Sequence, residues 1–384
     1  MPGFNRERLT EIRTVRGVTM EQLANALGIT KQMISKYEDG KSIPQIEAIH
    51  KIAGILSVPK QYLFKDSVAR DANSSTLFLR APLATPQKTR AFARIVSGWC
   101  YEISKAIIDL TQPLFDFSLD AQLTIPEKAM ELRRQWKLGT KPIRNMVALL
   151  ESHGFNIFSV DSPELKTEAY SQIINGIPII VLNKQIGTSV RQRFSLAHEL
   201  GHIVLHSGIV DWEFDLKSKE IENEAHLFAE YFLLPTKGFD NSFVSPRMEH
   251  LISLKKEWLV SLRAMIFHCE RVGLIDASKS FFLQQQISAQ GWQKFEPLDN
   301  DIEFEKPISV GNLISNKVTD RDTFVDFYDE IRLPIDYIEN LCSLPTDSLM
   351  KFYDDYLDGF DVAESNQLES EQLTLFDVGG VYYA

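Results

Sequence analysis

The chain has 384 residues, of which 44% are hydrophobic and 10% aromatic, so it is long enough for two or three compact domains and is not mainly disordered. No apolar run reaches the length of a membrane span and the N-terminus lacks the apolar segment of a signal peptide, so we expect a cytoplasmic protein that does not bind membranes. The net charge of −11 argues against a general nucleic-acid binder, because an acidic surface repels a polyanion.

Residues 1–66 predict an all-helical domain of five short helices. Thr19 and Thr30 are suited to cap the second and third helices, Gly28 breaks the chain between them, and Asp39-Gly40 ends the third. This segment holds ten Lys or Arg against seven Asp or Glu, whereas the remainder of the chain is strongly negative. If any part of the protein contacts DNA, we expect it to be this domain.

Residues 7–64 resemble the Xre/Cro-type helix-turn-helix family, through Gln22-Leu23-Ala24, Gly28 and the run Ser35-Lys36-Tyr37-Glu38-Asp39-Gly40-Lys41. The resemblance implies that the second helix of the motif enters the major groove, and that a homodimer binds a palindromic site. The alternative is a domain of this type used for protein contact. The candidate DNA-binding residues are Gln22, Thr30, Lys31, Gln32, Ser35, Lys36 and Lys41.

The middle of the chain predicts an α+β domain. After a polar linker at 67–85, helical periodicity appears at 88–112, 126–137 and 142–152. Three strands follow, at 155–160, 168–174 and 177–182, and Asn175-Gly176 predicts a hairpin between the last two. Helices at about 191–206 and 218–233 complete a domain at 86–275 with a small antiparallel sheet. We expect a mainly helical region of unknown role at 276–362 and a flexible acidic tail at 363–384.

The predicted helix at 191–206 contains the motif His198-Glu199-Leu200-Gly201-His202. Its histidines are one helical turn apart and can direct two imidazoles at one metal ion. Glu199 is then placed to take a proton from water, as a general base. The motif is short and can be a solvated helix face, but its neighbours are apolar, and buried histidines and a glutamate need a metal or other partners. We therefore predict a Zn²⁺ site.

A catalytic zinc usually takes three protein ligands, so a third ligand must come from elsewhere. His206 is excluded, because eight residues of helix rise about 12 Å. The next helix is the better source. There we predict Glu224 as the third ligand, beside an apolar stripe that includes Ala225, with Glu220 as second choice and Glu222 on the far side. His206 is expected to support the site from outside.

The segments Arg191–His206 and Glu224–Pro235 resemble the ImmA/IrrE family of metallopeptidases over roughly residues 130–275, with His226 and Leu234 departing from the usual residues. The resemblance implies zinc held by His198, His202 and Glu224, with Glu199 as general base. It also implies cleavage of one specific partner protein, often a helix-turn-helix repressor.

Two weaker features complete the sequence. Gln372, Leu373, Leu375 and Phe376 resemble the peptide by which bacterial replication proteins bind the DNA sliding clamp, although a tail that packs on its own domain is the alternative. Cys100, Cys269 and Cys342 match neither a disulfide framework nor a thiolate zinc site, so we expect buried thiols. A regulatory fourth-ligand role for Cys100 is a minor alternative.

The sequence therefore predicts a DNA-binding regulatory zinc metalloprotease that cleaves a specific partner in a stress, mobile-element or defence response. The alternative is a transcriptional regulator whose zinc domain is a non-catalytic structural or sensor module. Loss of cleavage in Glu199→Gln, with zinc and DNA binding intact, would separate the two.

Overall fold

The computed structural model describes residues 3–67, 72–73, 75–79, 85–107, 119–354 and 356. The helices are α1 Arg6–Val15, α2 Met20–Leu27, α3 Lys31–Glu38, α4 Ile46–Ile55, α5 Gln87–Ile107, α6 Ile125–Gln135, α7 Met146–Ser152, α8 Ser189–His206, α9 Asp211–Leu233, α10 Thr236–Ser242, α11 Met248–Trp258, α12 Leu262–Arg271, α13 Ala277–Ala289, α14 Ser309–Lys317, α15 Arg321–Ile331 and α16 Ile335–Leu341. The strands are β1 Leu77–Phe78, β2 Asn156–Val160, β3 Ala169–Ile174 and β4 Ile177–Asn183.

The N-terminal domain confirms the predicted pattern of caps. Its fifth helix is a 3₁₀ turn at Lys60–Phe64. Thr19 and Gln22 form a reciprocal capping box on α2, Gly28 adopts a left-handed conformation at φ 71°, and Thr30 caps α3 by accepting from Met33 N. These local bonds satisfy backbone groups that the short helices leave unpaired, so the α2–turn–α3 motif is defined by its own sequence.

The sheet has the order β1-β3-β4-β2 and is mixed. The predicted hairpin is confirmed: β3 pairs antiparallel with β4 across Asn175 and Gly176, which have φ 49° and 82°. The predicted antiparallel sheet is wrong in one respect, because β2 pairs parallel with β4. Residues 161–168 connect β2 to β3, which lies two positions away in the sheet. Strand β4 then occupies the position between β3 and β2 and runs parallel to β2.

Strand β1 lies within the predicted linker. Leu77 and Phe78 pair antiparallel with Gln172 and Ser171 of β3, and both side chains are buried. The linker predicted at 67–85 therefore includes a short strand, in which the apolar side chains of Leu77 and Phe78 cover a sheet edge. The rest of 67–85 is described only in part.

Two hydrophobic cores organise the chain. One lies between the zinc-motif helix α8, the sheet and helices α6, α7 and α9 to α13. The other is continuous from the N-terminal domain through α5 to α14, α15 and α16. Tyr337 donates to the Val15 carbonyl at 3.1 Å, and Arg16 pairs with both oxygens of Asp336. The N-terminal domain is therefore packed against the C-terminal region.

A buried polar network also joins the N-terminal domain to α5. Arg8 pairs with Glu102 of α5 and, at 3.0 Å, with Glu11, while Lys65 reaches Glu102 at 2.9 Å. The Arg8 side chain is fully buried and that of Glu102 is 4% exposed. Buried charges of this kind are stable only when they are paired, so the network fixes how the domain sits on α5.

Cys100, Cys269 and Cys342 are free and buried, as predicted. Burial raises the pKa of the Cys100 thiol well above its usual value. Among the described residues, no helix is both long enough and apolar enough to cross a membrane. The proposed tail and its clamp-binding residues Gln372, Leu373, Leu375 and Phe376 lie outside the described residues.

Candidate metal centre

Helix α8 carries the His198–His202 motif through the interior of the central domain. Arg193, one and a half turns earlier, anchors the helix: its buried guanidinium donates to the carbonyl groups of Ile143 and Leu259 and pairs with Glu305. Leu196, Leu200 and other apolar side chains of α8 lie in the core. The helix is therefore held rigidly, which fixes the positions of its two histidines.

Three side chains converge to form a metal-ligand group: His198, His202 and Glu222. The two Nε2 atoms are 3.0 Å apart, and the Glu222 carboxylate lies 3.2 Å from His198 Nε2 and 3.6 Å from His202 Nε2. Ligand atoms bound tetrahedrally at about 2.1 Å are about 3.4 Å from one another. The observed spacing is therefore that of three corners of a metal coordination sphere.

The third member of the group differs from the prediction. Glu224 does not join the histidine pair; its carboxylate lies 2.9 Å from His206 Nε2. The expectation that Glu222 lies on the far side of α9 is wrong. At about 100° per residue, Glu222 is about 60° from the buried Ala225, whereas Glu224 is about 100° away. Glu220 is exposed on the outer face.

Gly201, within the motif, sets this rotation of α9. A Cβ on Gly201 would come within 3.1 Å of both Cα and O of Ala225 and 3.2 Å of the Phe228 ring. Only a residue without a side chain allows the two helix backbones to approach so closely. The contact brings the Ala225 face of α9 against α8, and Glu222, one turn earlier on that face, reaches the histidines.

Outside the metal-ligand group, two residues form a relay behind His202. His202 Nδ1 lies 3.2 Å from His206 Nδ1, and His206 Nε2 lies 2.9 Å from Glu224. With the His206 proton on Nε2 facing the carboxylate, His206 Nδ1 accepts from His202 Nδ1–H, which leaves the His202 Nε2 lone pair for a metal. His206 and Glu224 therefore lie behind His202, outside the group of three side chains that could hold a metal.

Burial and hydrogen bonding adjust the charges of the group. Burial lowers the pKa of His202 to about 3, so its imidazole is neutral and able to coordinate a metal at neutral pH. Burial alone would raise the pKa of Glu222, but the adjacent imidazoles of His198 and His202 outweigh burial and lower that pKa below its usual value. The group therefore presents a neutral His202 imidazole and an ionised Glu222 carboxylate beside His198.

Glu199 lies on the same helix, 4% exposed, and accepts a hydrogen bond of 2.6 Å from Ser171 Oγ on β3. Ser171 was not predicted from the sequence, since a serine in a strand gives no signal of such a role. The contact fixes one carboxylate oxygen of Glu199 in a buried site. A carboxylate held in this way next to a metal-ligand group is suited to accept a proton.

Phe78 of β1 covers the other side of the site. Its ring stacks on that of His202, with centroids 4.9 Å apart and an angle of 8° between the planes. Phe214 lies edge-on to Phe78 at 5.5 Å, and Ile221 completes the cluster. This apolar cover shields the His202 ring and strengthens electrostatic interactions around it.

The structure places the predicted DNA-binding residues on the surface of the N-terminal domain. Lys31, Gln32 and Lys36 are exposed along α3, and Ser35 is half-buried. Gln22 and Thr30, although exposed, use their side chains in helix caps, and Lys41 pairs with Asp39 at 2.8 Å. The side chains best placed to contact bases are therefore those of Lys31, Gln32 and Lys36.

Fold and site together define a class of protein: a helix-turn-helix domain fused to a metallopeptidase-like domain. Comparison with protein families gives the same result. Residues 9–63 match the helix-turn-helix family, and residues 150–270 match the IrrE N-terminal-like domain family of M78 peptidases. The N-terminal segment belongs to the helix-turn-helix family, and the central segment is similar to the IrrE N-terminal-like domain family.

The curated relatives are similar to part of the chain only. The SPbeta prophage-derived uncharacterized HTH-type transcriptional regulator YonR of Bacillus subtilis (strain 168) is 39% identical over 64 residues, 17% of this chain and 59% of that protein. The cryptic phage CTXphi transcriptional repressor RstR of Vibrio cholerae is 32% identical over 60 residues, 16% of this chain and 54% of its own. A transcriptional regulator in the ATPase CF(0) region of Rhodospirillum rubrum is 32% identical over 81 residues, 21% of this chain and 75% of its own. The first two alignments cover little more than half of those relatives.

Proposed function

We propose that the protein is a DNA-binding zinc metallopeptidase that cleaves a specific partner protein. The observation that carries this proposal is the convergence of His198, His202 and Glu222 beside Glu199. Two imidazoles and one carboxylate are the donor set of many catalytic zinc sites, which keep a fourth position open.

An unpartnered atom supports a metal in this group. Glu222 Oε1 is buried and has no hydrogen-bond partner among the described residues. Leaving a buried carboxylate oxygen unsatisfied is costly, and a cation held between it and the two Nε2 atoms would remove that cost. His198, His202 and Glu222 would hold the zinc, with Glu224 acting on His202 through His206.

The remaining residues suit peptide hydrolysis. Zinc bound here supplies a Lewis acid that polarises a carbonyl group and makes water more acidic. The Glu199 carboxylate, held by Ser171 Oγ, accepts the proton of the attacking water and returns it to the departing amine. The apolar cover of Phe78 and Phe214 limits the access of bulk water to the ligand histidines.

Two features of the N-terminal domain support the proposals that DNA is a partner and that the substrate is a repressor. Exposed Lys31, Gln32 and Lys36 on α3 are suited to the major groove. Similar domains occur in proteins named as phage and prophage transcriptional regulators. We infer that the chain binds an operator, as a homodimer on a palindromic site, and that its substrate is a helix-turn-helix repressor bound at or near that operator.

The second candidate is a transcriptional regulator whose metal site is structural. Strand β1 pairs with the edge of β3 and covers the site. This arrangement favours the second candidate, because a structural zinc site has no open coordination position.

The test uses the zinc-loaded full chain and the proteins encoded beside its gene. We expect one of these proteins to be cut at a defined bond by the parent and not by Glu199→Gln, with equal zinc content and DNA binding in both. Equal cutting by both forms would refute the role of Glu199. If the parent cuts none of these proteins, while zinc removal abolishes operator binding, the structural alternative holds.

A further inference from the structure

We propose that residues 75–79 occupy the place of a peptide substrate along β3, so that the protein as folded here is autoinhibited. The substrate is then a protein segment in extended conformation that displaces β1 and pairs with β3. This inference rests on the proposed peptidase function and adds the form of its substrate and its resting state.

The strand register carries the inference. Phe78 is the partner of Ser171, and Ser171 Oγ is the group that binds Glu199. The backbone of β1 therefore passes along the sheet edge at the level of the catalytic glutamate. A substrate peptide must present its backbone at this level for a carbonyl group to meet Glu199 and the metal ligands.

Without β1, β3 would be the edge strand of the sheet. An edge strand offers a row of unpaired N–H and C=O groups, which bind extended peptides by strand addition. Strand β1 contains only Leu77 and Phe78, so its pairing with β3 is short. A longer external strand would make more backbone hydrogen bonds with β3 and could replace it.

The Phe78 side chain indicates what the displaced site would accept. It is 2% exposed and packs between His202, Phe214 and Ile221. Once Phe78 leaves, this cluster is an apolar pocket bordered by a metal ligand. We therefore expect a substrate with a large apolar or aromatic side chain at the position opposite Ser171.

Polar contacts hold the N-terminal side of the segment. Arg94 of α5 donates to the carbonyl groups of Ala72 and Ser75 and pairs with Asp211, which in turn accepts from Leu77 N at 3.3 Å. Gln172 Nε2 donates to the Ser75 carbonyl at 3.0 Å. Arg94 and Asp211 are partly exposed, at 21% and 44%, so solvent can reach this ion pair, whereas Leu77 and Leu79 are buried in the core.

The test is peptide binding, measured in the full-length zinc-loaded protein carrying Glu199→Gln so that nothing is cut. The probe is a fluorescein-labelled peptide with the sequence of residues 74–80, Ser-Ser-Thr-Leu-Phe-Leu-Arg, titrated by fluorescence anisotropy. Two further variants in this background release the segment by different contacts: Phe78→Ala alone, and Arg94→Ala with Asp211→Asn.

We expect both released variants to bind the probe about tenfold or more tightly than the parent, because the apparent affinity is reduced by the fraction of protein with an open site. The matched control, Arg134→Ala with Glu131→Gln, removes an exposed ion pair on α6 and should bind as the parent does. A probe with Ala in place of its Phe should bind the released variants no more tightly than it binds the parent.

Equal probe binding by the parent and both released variants would overturn the proposal and make β1 a permanent fourth strand. This result differs from failure of the peptidase function, because anisotropy requires no cleavage. If the released variants bind the probe but the same variants with Glu199 restored cut no protein, the β3 site stands and the peptidase proposal falls.

Discussion

Gly201 of α8 lies against the backbone of Ala225 in α9, where a Cβ would come within 3.1 Å of Ala225 Cα. This contact determines which face of α9 meets the histidines. We expect Gly201→Ala to push the helices apart, to destabilise the protein by about 1–3 kcal/mol and to weaken zinc binding. Thermal unfolding and competition with a chromophoric chelator measure the two effects.

Gly208→Ala is the matched control for this substitution, because nothing lies within 4 Å of a Cβ at Gly208. It should leave both zinc affinity and unfolding temperature nearly unchanged. A Gly201→Ala protein with unaltered zinc affinity would show that the close helix contact does not position Glu222.

The identity of the third ligand can be tested on one helix. Glu222→Gln should reduce zinc affinity by more than the factor of about 10–100 that is typical of residues outside the ligand set, because it removes a ligand charge. Glu220→Gln, an exposed carboxylate two residues away, should have no effect. Metal content after dialysis and chelator competition report the difference, and equal zinc loss in both variants would argue against Glu222.

The pair His206 and Glu224 behind His202 predicts a separate loss of zinc affinity, smaller than that expected for Glu222→Gln. Glu224→Gln keeps a hydrogen-bonding group near His206 Nε2 but removes the charge that orients it. We expect zinc affinity to fall by about tenfold, within the range for such residues. If Glu224→Gln lost zinc as completely as His198→Ala does, Glu224 would be a direct ligand, as first predicted.

The buried network between the N-terminal domain and α5 predicts a large stability effect. Glu102→Ala leaves the charges of Arg8 and Lys65 without this partner, and we expect a loss of about 3–5 kcal/mol in urea denaturation. Glu164→Ala, which breaks an exposed pair with Lys88, should cost at most about 1 kcal/mol. Similar losses in both variants would mean that the network does not stabilise the domain contact.

DNA binding can be tested on α3. Lys36→Ala should weaken binding to DNA from upstream of the gene and reduce the salt dependence of binding by about one unit of slope, as expected for one lost phosphate contact. Lys105→Ala on α5 makes the same charge change away from the helix-turn-helix and should bind DNA normally. Unchanged binding of Lys36→Ala would point to a protein-contact role for this domain.

Local features were predictable from the sequence. The His198–His202 spacing, the caps of α2 and α3 and the Asn175-Gly176 hairpin all depend on residues a few positions apart. Glu224 was predicted to join the histidines, whereas Glu222 lies beside them, although the helical-wheel positions of the two glutamates already favour Glu222. The rotation of α9 that brings Glu222 to the histidines depends on the Gly201–Ala225 contact, which joins two helices and is not visible in either alone.

Long-range features could not be predicted. The pairing of β1 with β3 depends on a sheet edge about 90 residues further along the chain, and the short apolar run Leu77-Phe78-Leu79 shows no alternation of apolar and polar residues. The parallel pairing of β2 with β4 and the attachment of the N-terminal domain to α16 through Arg16 and Asp336 likewise depend on the tertiary arrangement.

The core shared by the N-terminal domain, α5 and the C-terminal helices has a consequence for how such a protein can evolve. Helix-turn-helix domains on flexible tethers can be exchanged between regulators with little penalty. Here an exchanged domain would have to reproduce the partners of Glu102 and Asp336 and cover the apolar face of α5. A change of operator specificity is therefore more accessible through substitutions on α3 than through replacement of the whole domain.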